Sequence, residues 1–418
     1  LPSSQKQSRY TQVIMKGKKV ALLTLQHFSN APRAQKEAGS LARAGADVTV
    51  FGSWWNHERA QEDLALAERL GITYIPLIDL RNSPLRLRIK GKIAREAFKR
   101  FGIVLPEVYG LSARAMIREI KRLKPNLTMV HCEPGLWAGP RLIKAGFKVG
   151  IDFEDWFSED LLPEARKERP VEALATGEKY MLKNGVVSFA TTEAMAANLS
   201  NWAGLDTPPT SIPNTFPWAD SPKEDINADK RDPDCVSFYW FSQTIGPGRG
   251  LEILGHALSK VRGNWQLHLR GTLRNRKDWF EETFPENIRD RVIIQPIVPN
   301  RDLPIHSASH DIGFALEDPF CKSRDLTATN KIFEYMRCGL ATIATRTSGQ
   351  REVLDKAEGV GWIIEPNDED ALIERIQFCL DHPDKVATAK SLAKEAAAGV
   401  WSWETFEPIL VEKISQAL

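Results

Sequence analysis

The residues best equipped for chemistry lie within DLTATNKIFEYMRCGLATIATRTSGQREVLD, residues 325–355. The pattern predicts a helix over residues 329–337, from Thr329, with Asn330, Lys331 and Glu334 near its start and Ile332, Phe333 and Met336 as apolar contacts. Cys338-Gly339 stops it, and residues 341–345 read as a strand. An anion in front of such a helix meets unpaired backbone N–H groups and the positive end of the dipole, which suits a phosphate. Glu334, one turn in, would repel a phosphate but can accept hydrogen bonds from a neutral diol such as ribose. On an arbitrary helix, Glu334 and Lys331 would simply be solvated neighbours.

A second group is Gly246-Pro247-Gly248-Arg249-Gly250, which follows a strand and opens a helix. Backbone amides there can approach a pyrophosphate and Arg249 can neutralise it. The spacing is GxGxG, not the GxGxxG of dinucleotide sites. Arg270, at a strand end, is the residue that could serve a 2′-phosphate in a dehydrogenase. No separate constellation for hydride transfer accompanies it. A third group is a set of carboxylates at strand ends, Glu133, Asp152, Glu154 and Asp155, of the kind that deprotonates a hydroxyl. A metal site is the rival reading, but the sequence shows no fixed ligand geometry, and no metal is expected. Arg33, in the loop 26–33 after the first strand, is a candidate anion contact, and His27 reads as a loop residue.

The elements that must hold these groups follow an α/β grammar. Residues 19–24 form a continuous apolar run of strand length, 34–44 show helical spacing, and 47–51 are rich in β-branched residues, so the chain opens β, α, β. Further strands are expected at 125–132, 149–153, 186–191 and 210–214, and then, after a polar segment, at 235–241, 265–269, 291–295 and 311–316. With 418 residues, the chain suggests two domains. They are expected as tandem doubly wound Rossmann-like domains facing across a cleft: residues 1–215, a linker at 216–233, and 234–400. A net charge of +2 with 42% hydrophobic and 26% charged residues is ordinary for a globular protein and carries no nucleic-acid signal. Five scattered cysteines, at 132, 235, 321, 338 and 379, indicate neither a disulfide framework nor structural zinc, and a reducing, cytoplasmic setting is expected. No stretch approaches a membrane span.

One segment stands apart. Residues 81–101, RNSPLRLRIKGKIAREAFKRF, set eight basic residues against Glu96 alone. Leu85, Ile89, Ile93, Ala97 and Phe101 recur every four residues, giving an apolar stripe beside a basic face. Two readings stand open: a helix lying on an anionic membrane surface, peripheral at the inner face, or the solvated side of a core helix. Nucleic acid ranks below both because aromatic interleaving is absent.

Strand, GPGRGLE, helix, and then NKIFEYMRCGLATIATRTSGQREV together resemble the donor half of GT-B glycosyltransferases, in particular the retaining family four. NAPRAQKEAGSLARAGADVTVFG resembles that family's opening. HCEPG and DFEDWF resemble its acceptor-side loops, and WSWETF resembles the segment leading into a last helix, about 401–418, that packs back on the first domain. The resemblance implies a glycosyltransferase that moves a sugar from a nucleotide diphosphate sugar to a hydroxyl of a glycan or glycolipid, with retention and without metal. It implies that Glu334 holds the ribose, that Arg249 replaces a phosphate-binding lysine, and that the amides of 328–330 meet the diphosphate. Arg33, His131 and Glu133 then fall on the acceptor side. Leu326 stands where the family often has an acidic sugar contact, with Asp325 beside it and Glu317 further back. Gln243 stands where it has an arginine, and Glu154 where it has a histidine. A nucleotide-sugar epimerase of the same fold and a silent binding protein are the alternatives.

Overall fold

The computed structural model describes residues 15–82, 85–223, 232 and 234–418. The chain divides into two compact units: Leu1–Thr191, Ala196–Ile212 and Glu407–Leu418 form the first, and Thr192–Met195 with Pro213–Phe406 the second. Half of the expected linker falls outside the described residues. Its described part is not loose, because Phe216 bridges Ser402 and lies beneath the Arg337 guanidinium.

In the first unit the strands are β1 (Lys19–Leu23), β2 (Asp47–Trp54), β3 (Thr73–Asp79), β4 (Leu127–Val130), β5 (Val149–Phe153), β6 (Ser188–Ala190) and β7 (Thr210–Ser211). They form one parallel sheet in the order β3-β2-β1-β4-β5-β6-β7. Helices cover both faces, so β1, β4 and β5 are apolar along nearly their whole length rather than alternating. The helices that matter below are α1 (Pro32–Arg43), α2 (Leu85–Phe101), α3 (Glu133–Lys144) and α4 (Val171–Asn184). Strand order reverses between β1 and β4, and the crevice at their carboxyl ends is where open α/β sheets place ligands.

The second unit repeats the design with β8 (Val236–Thr244), β9 (Trp265–Thr272), β10 (Val292–Gln295), β11 (Ile312–Ala315), β12 (Ala341–Thr345) and β13 (Gly361–Ile364). Their order is β10-β9-β8-β11-β12-β13, again parallel, with the reversal between β8 and β11. Phe238, Trp240, Leu267, Leu269, Phe314 and Ile343 fill its core against α5 (Leu251–Lys260). On the other face α6 (Asn330–Cys338) and α7 (Ser348–Asp355) pack on Tyr239, Ala315 and Ala344. The last helix, α8 (Trp403–Ala417), belongs to the first unit from Glu407 onward. There Glu407 pairs with Arg43 at 2.5 Å, and Lys148 Nζ donates to the Leu418 carbonyl at 2.8 Å. Among the described residues no helix is long and apolar enough to cross a membrane, and all five cysteines are free thiols.

Candidate functional site: an anion cleft and a buried charge cluster

In the second unit the switch point is built by two stretches adjacent in space and distant in sequence. After β8 the chain turns through Gly246–Gly250 into α5. Gly248 and Gly250 both have φ of +73°, a left-handed conformation that glycine adopts without a Cβ penalty. At Gly250 a Cβ would also lie 2.4 Å from the Leu316 carbonyl oxygen, so this turn closes against the end of β11 only with glycine there. Gly248, Gly250, Leu316, Glu317, Asp318 and Thr345 line the resulting cleft.

Glu317 is its electrostatic centre. Lys331 Nζ, from the first turn of α6, lies 2.6 Å from Glu317 Oε1 and 5.6 Å from the Trp240 ring, within cation–π range. Burial alone would raise the Glu317 carboxyl, but the charge and hydrogen bond of Lys331, with Arg324 and Arg249, outweigh it and hold the group below the usual carboxylate range. Lys331 thus pairs directly with Glu317, Arg324 and Arg249 act on the same carboxylate through their charge, and Glu252 and Asp318 share the lining of the cleft. Arg249 is exposed and reaches Ser242 Oγ at 3.1 Å. Arg276, which sequence reasoning did not single out, donates to the Ile245 carbonyl at 3.3 Å and lies over Gly246. α6 starts at Asn330 after Thr329, whose side chain makes no capping bond. The structure therefore gathers Gly246, Gly248, Arg249, Gly250 and Lys331 with Glu317 and Arg324.

Other expected residues are placed differently. Arg270 is buried and its donors are engaged by the Tyr239 hydroxyl (3.1 Å), the Pro296 carbonyl (2.8 Å) and Gln295 Oε1 (2.6 Å). It clamps β8, β9 and the end of β10, so it is not available to a 2′-phosphate, and the dinucleotide alternative loses its arginine. Glu334 is also buried. Its Oε2 accepts from Arg337 Nε at 2.8 Å and from Arg337 Nη2 at 2.5 Å, and its other oxygen lies 3.6 Å from Cys338 Sγ. The carboxylate expected to take ribose hydroxyls is held by Arg337, one turn on. At the sugar-contact position, Leu326 is buried and Asp325 caps α7, accepting from Ser348 N (3.0 Å) and Ser348 Oγ (2.7 Å).

In the first unit the switch point holds a network of charges. Arg33, on α1, is buried: its Nε donates to Asp152 Oδ2 at 2.6 Å and its Nη1 to the Ile212 carbonyl at 2.6 Å. Expected as an anion contact in a loop, it instead ties the ends of β5 and β7 to α1. His131, just past β4, sits between two carboxylates, with Nε2 3.1 Å from Glu37 Oε2 and Nδ1 3.1 Å from Glu154 Oε1. Burial would push the imidazole toward its neutral form, but Glu37, Glu154 and Asp152 together raise its pKa well above the ordinary value. Glu37, His131 and Asp152 bring potential metal-ligand atoms within 4.8 Å of one another. Glu154 and Asp155 remain partly exposed at the end of β5, while Glu133 pairs with Arg169. His27 is structural. Its Nε2 accepts from the backbone N–H of Trp55 and Asn56 at 3.1 and 3.2 Å, which leaves Nδ1 to donate to Asp63 at 2.6 Å.

Residues 238–382 match the family model for glycosyl transferases group 1. No curated protein sequence matches the chain. Among solved structures, HepE of Anabaena in complex with UDP and glucose is 18% identical with a TM-score of 0.69, covering 96% of this chain and 100% of that one. Sucrose-phosphate synthase of Thermosynechococcus elongatus is 18% identical with a TM-score of 0.67, covering 96% and 98%. A UDP-N-acetylglucosamine 2-epimerase-like protein of Listeria monocytogenes is less similar, at 13% identity and a TM-score of 0.55, covering 96% of each chain. The fold is that of the GT-B glycosyltransferases, as the sequence resemblance implied. The carboxyl-terminal unit carries the group 1 glycosyltransferase pattern.

Proposed function

We propose that this protein is a glycosyltransferase that moves a sugar from a nucleoside diphosphate sugar to a hydroxyl of a glycan or glycolipid acceptor. The observation that carries the reading is the Lys331–Glu317 ion pair beside a glycine turn, with Arg324 and Arg249 acting on the same carboxylate through their charge, within the stretch that matches the glycosyltransferase family model. HepE, of the same fold, binds UDP and glucose. As the C1–O bond to the diphosphate breaks, negative charge gathers on the leaving phosphate. Lys331, Arg249 and the start of α6 stabilise that charge from fixed positions, which lowers the barrier without a divalent cation. The bond formed is from C1 to the acceptor oxygen. Under retention, the acceptor proton leaves on the departing phosphate oxygen, and Glu154 or Asp155 serves as an alternative base.

The test is to incubate the protein with a panel of nucleoside diphosphate sugars, with and without glycan and lipid-linked acceptors. Acceptor-dependent release of a nucleoside diphosphate together with a glycosylated product is the expected result. Inversion of the donor sugar in the absence of acceptor would assign an epimerase instead, and binding without turnover on any pair would assign a silent binder.

A further inference from the structure

An ordinary surface helix turns its large apolar residues toward the core, but α2 turns only Leu87 and Phe98 that way, both half-buried, and leaves a second apolar row outside. The residues it buries are Gly91 and Ala94, and Gly91 lies so close to Leu111 that a Cβ would sit 3.3 Å from that side chain. Four large residues point away: Leu85 is 69% exposed, Ile89 47%, Ile93 57% and Phe101 73%. Ile103 and Val104, in the turn that follows, are exposed as well. At 3.6 residues per turn, Leu85, Ile89 and Ile93 form one ridge opposite the small-residue face. Arg86 and Lys90 flank it on one side, and Arg88, Lys92, Arg95 and Lys99 on the other, while Glu96 and Arg100 continue the line of the ridge beyond Ile93. Only Glu96 contributes negative charge to the helix, and it pairs with Arg100 at 3.2 Å. Lys99 is held by Glu168 at 2.7 Å.

We infer that α2 is a docking surface for an anionic lipid bilayer, lying in the plane of the interface with Leu85, Ile89 and Ile93 entering the acyl boundary. The flanking bases then meet the phosphate head groups. The shape and charge of the helix select this occupant. The ridge is apolar and unsheltered, so water is a poor partner for it. The bases lie on both of its sides, as they must for a helix half sunk in a negatively charged surface. A second copy of the same helix would bring two basic stripes together, which like-charge repulsion opposes. Nucleic acid would use the bases and leave the ridge in water. The inference does not depend on the transferase reading, because lipid binding is measured without turnover.

The experiment is co-sedimentation of the full chain with vesicles of phosphatidylcholine alone and of equal parts phosphatidylcholine and phosphatidylglycerol. The protein is expected to pellet with the mixed vesicles at low salt, not with phosphatidylcholine alone, and less as salt rises. Ile89→Ser with Ile93→Ser is expected to weaken binding by about tenfold or more, and Arg86→Glu with Lys92→Glu to abolish it. These side chains are exposed, and unchanged thermal unfolding serves as the folding control. Binding that ignores both pairs of substitutions overturns the inference, as does failure to bind either vesicle. A dimer in size-exclusion chromatography that dissociates with the isoleucine variant assigns the ridge to a second copy and equally overturns it.

Discussion

Lys331 shows how much a residue's role depends on what faces it. Its place in the first turn of α6 made it a phosphate candidate, and its charge is now matched by Glu317 at 2.6 Å. An incoming diphosphate would compete with Glu317 for Lys331. Lys331→Ala is expected to weaken nucleoside diphosphate affinity by about tenfold or more, because a charge-assisted bond contributes about 1.5–3 kcal/mol. Glu334 leads to a different expectation. Removing one partner of a buried ion pair leaves the other uncompensated, which costs about 3–5 kcal/mol. Glu334→Ala should therefore lower the urea midpoint by a large margin. Glu334→Ala combined with Arg337→Met, which leaves no buried charge, should recover much of the loss. Equal stability of the single variant and the native protein would place Glu334 outside the interior pair.

His131 has a folded-state pKa above its unfolded value of 6.5, so its stabilising contribution is complete below that value and is lost as pH rises through the folded pKa. The stability difference between native protein and His131→Gln should be largest in mildly acidic solution and shrink on going alkaline. Glu178, on α4, is pushed up to about 7 by burial, with hydrogen bonds from Ser158 working the other way. Its folded-state pKa is raised, so ionisation disfavours the folded state as pH climbs from 4.5 to about 7. Glu178→Gln should gain stability relative to the native protein across that window and hold the gain above it, as denaturant titrations at several pH values would show.

At the scale of elements, the glycine turn and α6 were legible because their signals are local. A strand running into GPGRG and a helix running into Cys338-Gly339 need no knowledge of distant residues, and Gly339 takes the expected left-handed φ of 71°. What could not be read was the side each element presents. The four-residue recurrence in residues 85–101 specifies a stripe but not its direction, and Leu85, Ile89 and Ile93 face outward while Gly91 and Ala94, with Leu87 and Phe98, form the packed face. Arg33 and Arg270 were misplaced for a related reason. Sequence puts both at strand ends, but Asp152, 119 residues away, and Tyr239, 31 residues away, draw them inside. Arg324 and Arg276 were missed because neither lies in a motif, and only the fold brings them to the cleft. The turn itself allows a direct test. Gly250→Ala would place a Cβ against the Leu316 carbonyl at a φ of +73°, and should lower both stability and nucleotide affinity, whereas Gly204→Ala, where a Cβ meets nothing within 4 Å, should affect stability alone.

At the scale of the molecule, two doubly wound sheets each place charge at their switch point, and the two places differ in kind. In the second unit, Lys331 pairs with Glu317 at an open cleft that Glu252 and Asp318 also line, with Arg249 and Arg324 acting on Glu317 through their charge. In the first unit, Arg33 and His131 are buried among Glu37, Asp152 and Glu154, and the last of these keeps a face to solvent. If the cations of the second unit do the work of a metal, turnover should survive added chelator, and loss of activity restored by a divalent cation would contradict this. The central claim is most directly tested by calorimetric titration of the protein with uridine, guanosine, thymidine and adenosine diphosphates, repeated on Lys331→Ala with Arg249→Ala. The account predicts that at least one nucleoside diphosphate binds the native protein and that the double variant binds it about a hundredfold more weakly. Affinity unchanged in the double variant, or no binding of any of the four to the native protein, would contradict it.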